Sequence, residues 1–246
     1  MNHSIQAGEV HIWSVDMDDC GWDAFGSVLS ADEREKAQRF RAPNLRQHYQ
    51  RNRSALRLLL SHYLSRHAAQ IEFLYNQFGK PGTVGQLVHF NLSHSNRYAM
   101  IAIAAQPVGV DLEFMDRQKT DIHELVEWAC HPLEKAALHL LPAAEQALYF
   151  YRLWTQKEAY CKVLGIGLNH ALPALRFEAA RDAAGCLVVD ENGASAAPFF
   201  VHRVPCPDGY AASVCLSRDD ARISLFSATP EDHIFQSTEA HQARIY

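Results

Sequence analysis

Glu158 and Lys162 lie four residues apart, with Lys157 beside Glu158, in the run Trp154-Thr155-Gln156-Lys157-Glu158-Ala159-Tyr160-Cys161-Lys162. On a helix this spacing sets a carboxylate and an ammonium on one face, with the second ammonium one step round the turn. Such a trio suits a metal ion and a polyphosphate held side by side. It equally describes an exposed ion pair worth only ~0.3–0.5 kcal/mol. Upstream, Gly109-Val110-Asp111-Leu112-Glu113 holds two carboxylates two apart, so on a strand Asp111 and Glu113 share a face while Val110 and Leu112 turn into a core. Adjacent acids repel, which favours a cation between them or full exposure. With Glu158 they make an oxygen-ligand set appropriate to Mg²⁺. A third run, Phe90-Asn91-Leu92-Ser93-His94-Ser95, ends in two hydroxyls and an imidazole able to donate to phosphate oxygens. Ser93 as a nucleophile activated by His94 is a poor reading, because neighbours on a strand point apart and no Gly-x-Ser-x-Gly turn surrounds it.

These groups need rigid supports. Tyr149, Leu153, Ala159 and Val163 give an apolar stripe and Gly165 a stop, so the spacing predicts a helix over 143–164. Before it, residues 10–15 alternate like a strand, and Ser30-Ala31-Asp32-Glu33 reads as a capping box opening a short helix through Phe40. A longer helix follows to about His67, with Leu45, Tyr49, Leu56, Leu60 and Tyr63 as its core stripe. Arg46, Arg53 and Arg57 beside that stripe read most simply as a solvated flank. Strands are expected over 71–75, 87–92, 98–104 and 108–113, with Lys80 on a tight turn between Gly79 and Pro81. A helix over 121–129 and a short turn containing Pro132 and Glu134 lead into the long helix. Strands return over 175–178, 187–189, 199–204, 210–216 and 223–226.

Helices followed by strands thus occur twice. The class is α+β, a pseudo-twofold pair of similar halves, 1–107 and 108–226, with the site between them and a loosely ordered polar tail over 227–246. The 246 residues are 48% hydrophobic, a globular composition, and the net charge of −5 argues against a general nucleic-acid binder. Residues 32–66 carry nine Lys/Arg against three Asp/Glu, while 109–134 carry seven acids against two bases. A basic surface facing an acidic one suits a phosphate-rich ligand and a metal. Six cysteines without a Cys-x-x-Cys pair, and no His-Glu-x-x-His, point to reduced thiols and no zinc site. No basic-then-apolar signal and no long apolar run are present, so the expectation is a soluble cytoplasmic protein that does not enter a membrane.

Four runs occur in order: Phe78-Gly79-Lys80-Pro81, Asn91-Leu92-Ser93-His94-Ser95, Gly109-Val110-Asp111-Leu112-Glu113 and Trp154-x-x-Lys157-Glu158-Ala159-x-x-Lys162-x-x-Gly165-x-Gly167-Leu168. Together they resemble the surfactin-synthetase-activating (Sfp) type of 4′-phosphopantetheinyl transferase, over about residues 30–168. The resemblance implies a pseudo-symmetric α+β monomer with coenzyme A between its halves. It implies holo-[acyl-carrier-protein] synthase chemistry: Mg²⁺-dependent transfer of the phosphopantetheine arm to a serine of an acyl or peptidyl carrier protein, releasing adenosine 3′,5′-bisphosphate. Carried over by position, Asp111, Glu113 and Glu158 are the Mg²⁺ ligands, and Lys157 and Lys162 face the pyrophosphate. Ser93 and His94 reach the coenzyme's phosphates, Lys80 and Pro81 lie beside adenine and ribose, and Lys36 meets the 3′-phosphate. Glu158 and Lys162 are the catalytic pair. Glu158 is the expected base, directly or through a water, with Glu134 the alternative.

Two positions depart from the family pattern. Asn96 stands where many members have glycine, a turn that Asn tolerates. Glu33 stands at a second basic position, so Arg34 or an arginine of the next helix is expected to substitute. Leu125, Trp128 and Leu133, rimmed by Arg117 and Lys119, are candidates for the carrier-docking patch; their simpler reading is helix core. Two other functions use the same groups: a Mg²⁺-dependent phosphohydrolase of nucleotide bisphosphates, and a coenzyme A-sensing adaptor without turnover.

Overall fold

Two sheets pack face to face, each with a long helix on its outer side, in the computed structural model, which describes residues 5–85, 88–116, 122–167, 172–179, 186–189, 195–218 and 220–231. The first sheet comprises β1 (Glu9–Asp16), β4 (His89–Ser95), β5 (Tyr98–Ala104) and β11 (Arg222–Ala228), in the order β11-β1-β5-β4. The second comprises β6 (Val108–Phe114), β7 (Arg176–Ala179), β8 (Cys186–Val189), β9 (Ser195–Arg203) and β10 (Tyr210–Leu216), in the order β6-β10-β9-β8-β7. A separate ribbon pairs β2 (Phe73–Tyr75) with β3 (Pro81–Thr83). The helices are α1 (Ala31–Gln38), α2 (Pro43–Leu64), α3 (His123–Ala129), α4 (Pro132–His139) and α5 (Ala143–Leu164). The class is α+β, as expected.

Period-two alternation sets the layers. Met100, Ala102 and Ala104 of β5 turn inward with Val10 and Ile12 to meet Val108, Val110 and Leu112 of β6 and Val214 of β10. Ala99, Ile101 and Ile103 turn the other way, onto Leu56, Leu59 and Leu60 of α2. On the far side of the second sheet α5 lays Ala159, Tyr160 and Val163 against Val201 and Cys215. Gly109 allows the approach: a Cβ there would lie 2.1 Å from the carbonyl oxygen of Ala159, so only glycine lets β6 and α5 touch backbone to backbone.

The capping box at Ser30 forms as the sequence predicts, with Ser30 N donating to Glu33 Oε2 at 3.0 Å. Arg53 and Arg57 do not form a solvated flank. Both are buried, and each Nε donates to Glu33, at 2.6 Å in both cases. A buried carboxylate requires compensation, and these two guanidiniums provide it. Burial alone would raise Glu33, but Arg53, the Ser30 amide and Arg57 hold it below its ordinary value. The expectation that an arginine of α2 replaces the missing basic position at 33 therefore fails for Arg53 and Arg57. Arg46 does stay exposed, donating to Phe40 O. Leu45, expected in the core stripe, is exposed as well.

Two further differences concern chain order. The stretch around Pro132 is a helix, α4, opened by a capping box of His131 and Glu134; a histidine N-cap hides that start from a search for Ser, Thr, Asp or Asn. The strand expected to finish the C-terminal half, β11, instead runs parallel to β1 in the first sheet, pairing Val10 with Ile223 and Ile12 with Leu225. The two halves are thus not contiguous in sequence. Ser227 and Ala228, placed in the tail by the sequence reading, belong to β11, and residues 232–246 lie outside those described. Among the described residues no helix is long and apolar enough to cross a membrane.

Candidate active site

The edge strands β4 and β6 meet through side chains rather than a backbone ladder. Asn91, Ser93 and Ser95 share one face of β4 by the two-residue period. Asn91 Oδ1 accepts from Val110 N at 2.8 Å, Ser93 Oγ donates to Asp111 Oδ1 at 2.8 Å, and Ser95 Oγ donates to Glu113 Oε2 at 2.8 Å while accepting from Phe114 N. This seam orients both carboxylates of β6. Val110 and Leu112 point into the inter-sheet core, which leaves Asp111 and Glu113 on the face toward α5.

From α5 come Glu158 and Lys162. Lys162 Nζ lies 2.5 Å from Asp111 Oδ1, 2.9 Å from Ser93 Oγ and 3.6 Å from Glu158 Oε2. Carboxylate oxygens of Asp111, Glu113 and Glu158 all fall within 4.8 Å of one another. Thr155 on the same helix ties its hydroxyl to Ser213 at 2.9 Å, and Ser213 pairs with Asp111 in the sheet register. Burial, then the charge of Asp111, pushes Glu158 up to about 7. The same two causes raise Glu113. For Lys162 burial acts downward, but Asp111 and Glu158 outweigh it and hold the ammonium above its ordinary value.

The cluster fits a hard divalent cation. It is all oxygen, it concentrates three acids around one ammonium, and Asp111 Oδ2 is buried with no hydrogen-bond partner. A buried carboxylate oxygen without a hydrogen-bond partner, in a cluster with two other carboxylates, is an arrangement that an ion would complete. Beside it opens a cavity of about 310 Å³, walled by Phe78, Lys80 and Pro81 on one side and by Asn91, Glu158 and Lys162 on the other.

The structure thus gathers Asp111, Glu113, Glu158, Lys162 and Ser93, with Lys80 and Pro81 at the cavity. Ser93, expected against a phosphate, is buried, and its hydroxyl is engaged by Asp111 and Lys162. His94 keeps an exposed edge at the end of β4; burial of its ring and then the charge of Lys162 hold it below its ordinary value. Lys36 stands exposed on α1 with its ammonium 5.5 Å from the Tyr49 ring centroid.

Lys157 does not face a pyrophosphate. It is fully buried, its Nζ donating to the carbonyls of Leu172 and Leu175 at 2.7 Å each and lying 2.9 Å from Glu134 Oε2. The one-residue step from Glu158 carries it about 100° round α5, into the protein. Glu134, the alternative base, caps the His131 amide at 2.7 Å besides pairing with Lys157, and stands outside the carboxylate cluster. Leu125, Trp128 and Leu133 are exposed rather than core. Trp128 packs against Trp154 at 5.8 Å, and Trp154 hydrogen-bonds Glu113, linking the patch to the carboxylates. Arg117, Lys119 and Leu168 lie outside the described residues. Sequence reasoning missed the positioning roles of Asn91 and Ser95, although their alternation with Ser93 signals them. Asn96 does adopt a positive φ of 49°.

The fold and site define an acidic cluster, fit for a divalent cation, where the edge strands of the two sheets meet α5. Residues 107–215 match the model of the 4′-phosphopantetheinyl transferase superfamily. The chain is 33% identical over 174 residues to the 4′-phosphopantetheinyl transferase HetI of Nostoc sp., covering 68% of this chain and 73% of that one. It is 28% identical over 200 residues to the 4′-phosphopantetheinyl transferase Sfp of Bacillus subtilis, covering 80% and 86%, and 29% identical over 220 residues to ffp of Bacillus subtilis, covering 89% and 92%. The chain belongs to the 4′-phosphopantetheinyl transferase family.

Proposed function

We propose that this protein transfers the 4′-phosphopantetheine arm of coenzyme A to a serine of an acyl or peptidyl carrier protein, releasing adenosine 3′,5′-bisphosphate. The observation that carries the reading is the carboxylate cluster with Lys162 at the mouth of a cavity large enough for part of a nucleotide. The carrier's serine oxygen bonds to the β-phosphorus, and the phosphoanhydride bond to the α-phosphate breaks. Positioning and charge stabilisation dominate such a step.

Coenzyme A brings about four negative charges, which three carboxylates alone would repel. Asp111, Glu113 and Glu158 would hold Mg²⁺, which when bound offsets that charge and polarises the pyrophosphate. Lys162 supplies the ammonium on the cavity side of α5. Lys157 is excluded from this task by its burial, so its role is structural. Lys36 and His94 are the groups we assign to the 3′-phosphate, and Lys80 and Pro81 to the adenosine. Glu158, within the cluster and at the wall of the cavity, is the group we assign to accept the serine proton, directly or through a water. Glu134 is committed to Lys157 and to a helix cap. The exposed Leu125, Trp128 and Leu133 form the apolar contact for the carrier.

Incubation of several apo-carriers with the protein, coenzyme A and Mg²⁺, followed by mass spectrometry, tests the reading. The expected result is a gain of one phosphopantetheine on a carrier serine. Cleavage of coenzyme A without carrier modification would assign a phosphohydrolase, and intact coenzyme A bound without turnover would assign an adaptor.

A further inference from the structure

Asn76 fastens the wall of the cavity to the helix that carries Glu158 and Lys162, and we infer that it is a positioning residue for coenzyme A. The inference rests on the reading that this cavity receives the coenzyme. The wall is the loop between β2 and β3, a ribbon that joins neither large sheet. From within, the loop is shaped by Asn76 Oδ1, which accepts from Phe78 N and from Lys80 N, both at 2.9 Å. Asn76 N donates to Lys80 O at 3.0 Å, and Gly79 adopts a φ of 84°. From without, the loop is placed by three bonds. Asn76 Nδ2 donates to Gly165 O at 2.8 Å, and Lys80 Nζ donates to Val163 O at 3.1 Å and Val108 O at 3.2 Å.

Those acceptors are the C-terminal end of α5 and the first residue of β6. The ammonium sits at the negative end of the helix dipole, and among the described residues Lys80 pairs with no carboxylate. Gly165 serves the same latch. Its φ of 67° closes the helix, and a Cβ there would stand 2.7 Å from Asn76 Nδ2 and 3.1 Å from Lys80 Cδ. The contact joins residues 89 apart in sequence, and with the Lys80–Val163 bond beside it ties the loop holding the Phe78–Pro81 run to the end of α5. One cavity wall is Phe78 to Pro81 and the other is Glu158 to Lys162, so the latch fixes the distance between them. The amide divides its work: its oxygen shapes the loop and its nitrogen docks it.

That division gives the test. Asn76→Asp keeps the acceptor that shapes the turn, removes the donor and sets a carboxylate against the Gly165 carbonyl. In steady-state transfer with coenzyme A and an apo-carrier, Asn76→Asp should raise the KM for coenzyme A about tenfold, with the KM for carrier and kcat within about twofold of wild type. Asn76→Ala, which removes both the docking donor and the acceptor that shapes the turn, should raise the KM for coenzyme A further. A coenzyme A KM unchanged in Asn76→Asp would overturn the latch, as would equal rises for both substrates. Failure of the wild-type protein to modify any carrier would instead overturn the transferase reading beneath it.

Discussion

Arg57 and Lys157 are structural counterparts. Each lies fourteen residues beyond the first residue of a 22-residue helix, α2 or α5. Arg57 donates to Ala68 O and Ile71 O, around one 3-10 turn, and Lys157 to Leu172 O and Leu175 O, around another. Each also pairs with a glutamate at the third position of a preceding capped helix, Glu33 or Glu134. The two halves therefore share one device that locks a short helix, a long helix and the following turn together.

This equivalence predicts the behaviour of Lys157. Lys157→Met should destabilise the protein by ~3–5 kcal/mol, because it leaves Glu134 buried and unpaired. The double variant Glu134→Gln/Lys157→Met should recover much of that loss in a denaturant titration. Its KM for coenzyme A should stay within about twofold of wild type. A tenfold rise in that KM in the folded double variant would return Lys157 to the pyrophosphate.

Gly109 is tested by adding a single methyl group. In Gly109→Ala the new Cβ meets backbone atoms of α5, Ala159 O at 2.1 Å and Val163 N at 2.5 Å, which cannot rotate away. Overpacking of this kind costs ~1–3 kcal/mol or more. Because relief requires α5 to withdraw from β6, activity should fall further than stability. Near-normal turnover at a lowered melting temperature would show that Glu158 and Lys162 do not depend on this contact.

The raised Glu158 makes stability depend on pH with a definite sign. Its ordinary value of 4.5 applies to the unfolded chain, and the fold moves it to about 7, so between these values the folded state holds the extra proton. The stability from Glu158 is full below 4.5 and is lost as pH rises through 7. Glu113 acts in the same direction. Between pH 5 and 8, wild type should lose on the order of 2–3 kcal/mol relative to Glu158→Gln. Saturating Mg²⁺ should reduce the loss. Parallel curves for the two proteins would remove Glu158 from the coupled cluster.

Leu133 is exposed on α4. Leu133→Asp should raise the KM for carrier severalfold while coenzyme A affinity stays unchanged, as expected for a docking contact remote from the phosphate. An equal loss for both substrates, or unfolding, would move the docking site elsewhere.

The parts of the fold that repeat a period were legible in the sequence. The helix over 143–164, the strands over 98–104 and 210–216, and the shared face of Asp111 and Glu113 all follow from spacing alone. What was not legible depends on distant partners. Lys157 looks like a phosphate ligand beside Glu158 until Glu134 and two carbonyls are seen around it. Arg53 and Arg57 look solvated until Glu33 is buried between them, and part of the basic surplus of residues 32–66 is thereby spent inside the protein. The parallel pairing of β11 with β1 is a long-range contact that no local pattern announces.

The central claim is that Asp111, Glu113 and Glu158 hold one Mg²⁺ for phosphopantetheine transfer. It is tested most directly by following the mass of an apo-carrier incubated with coenzyme A and either wild type or Asp111→Asn, with Mg²⁺ or with excess chelator. The account predicts one added phosphopantetheine only for wild type with Mg²⁺, while Asp111→Asn remains folded and inactive. Full modification by Asp111→Asn, or by wild type in chelator, would contradict it.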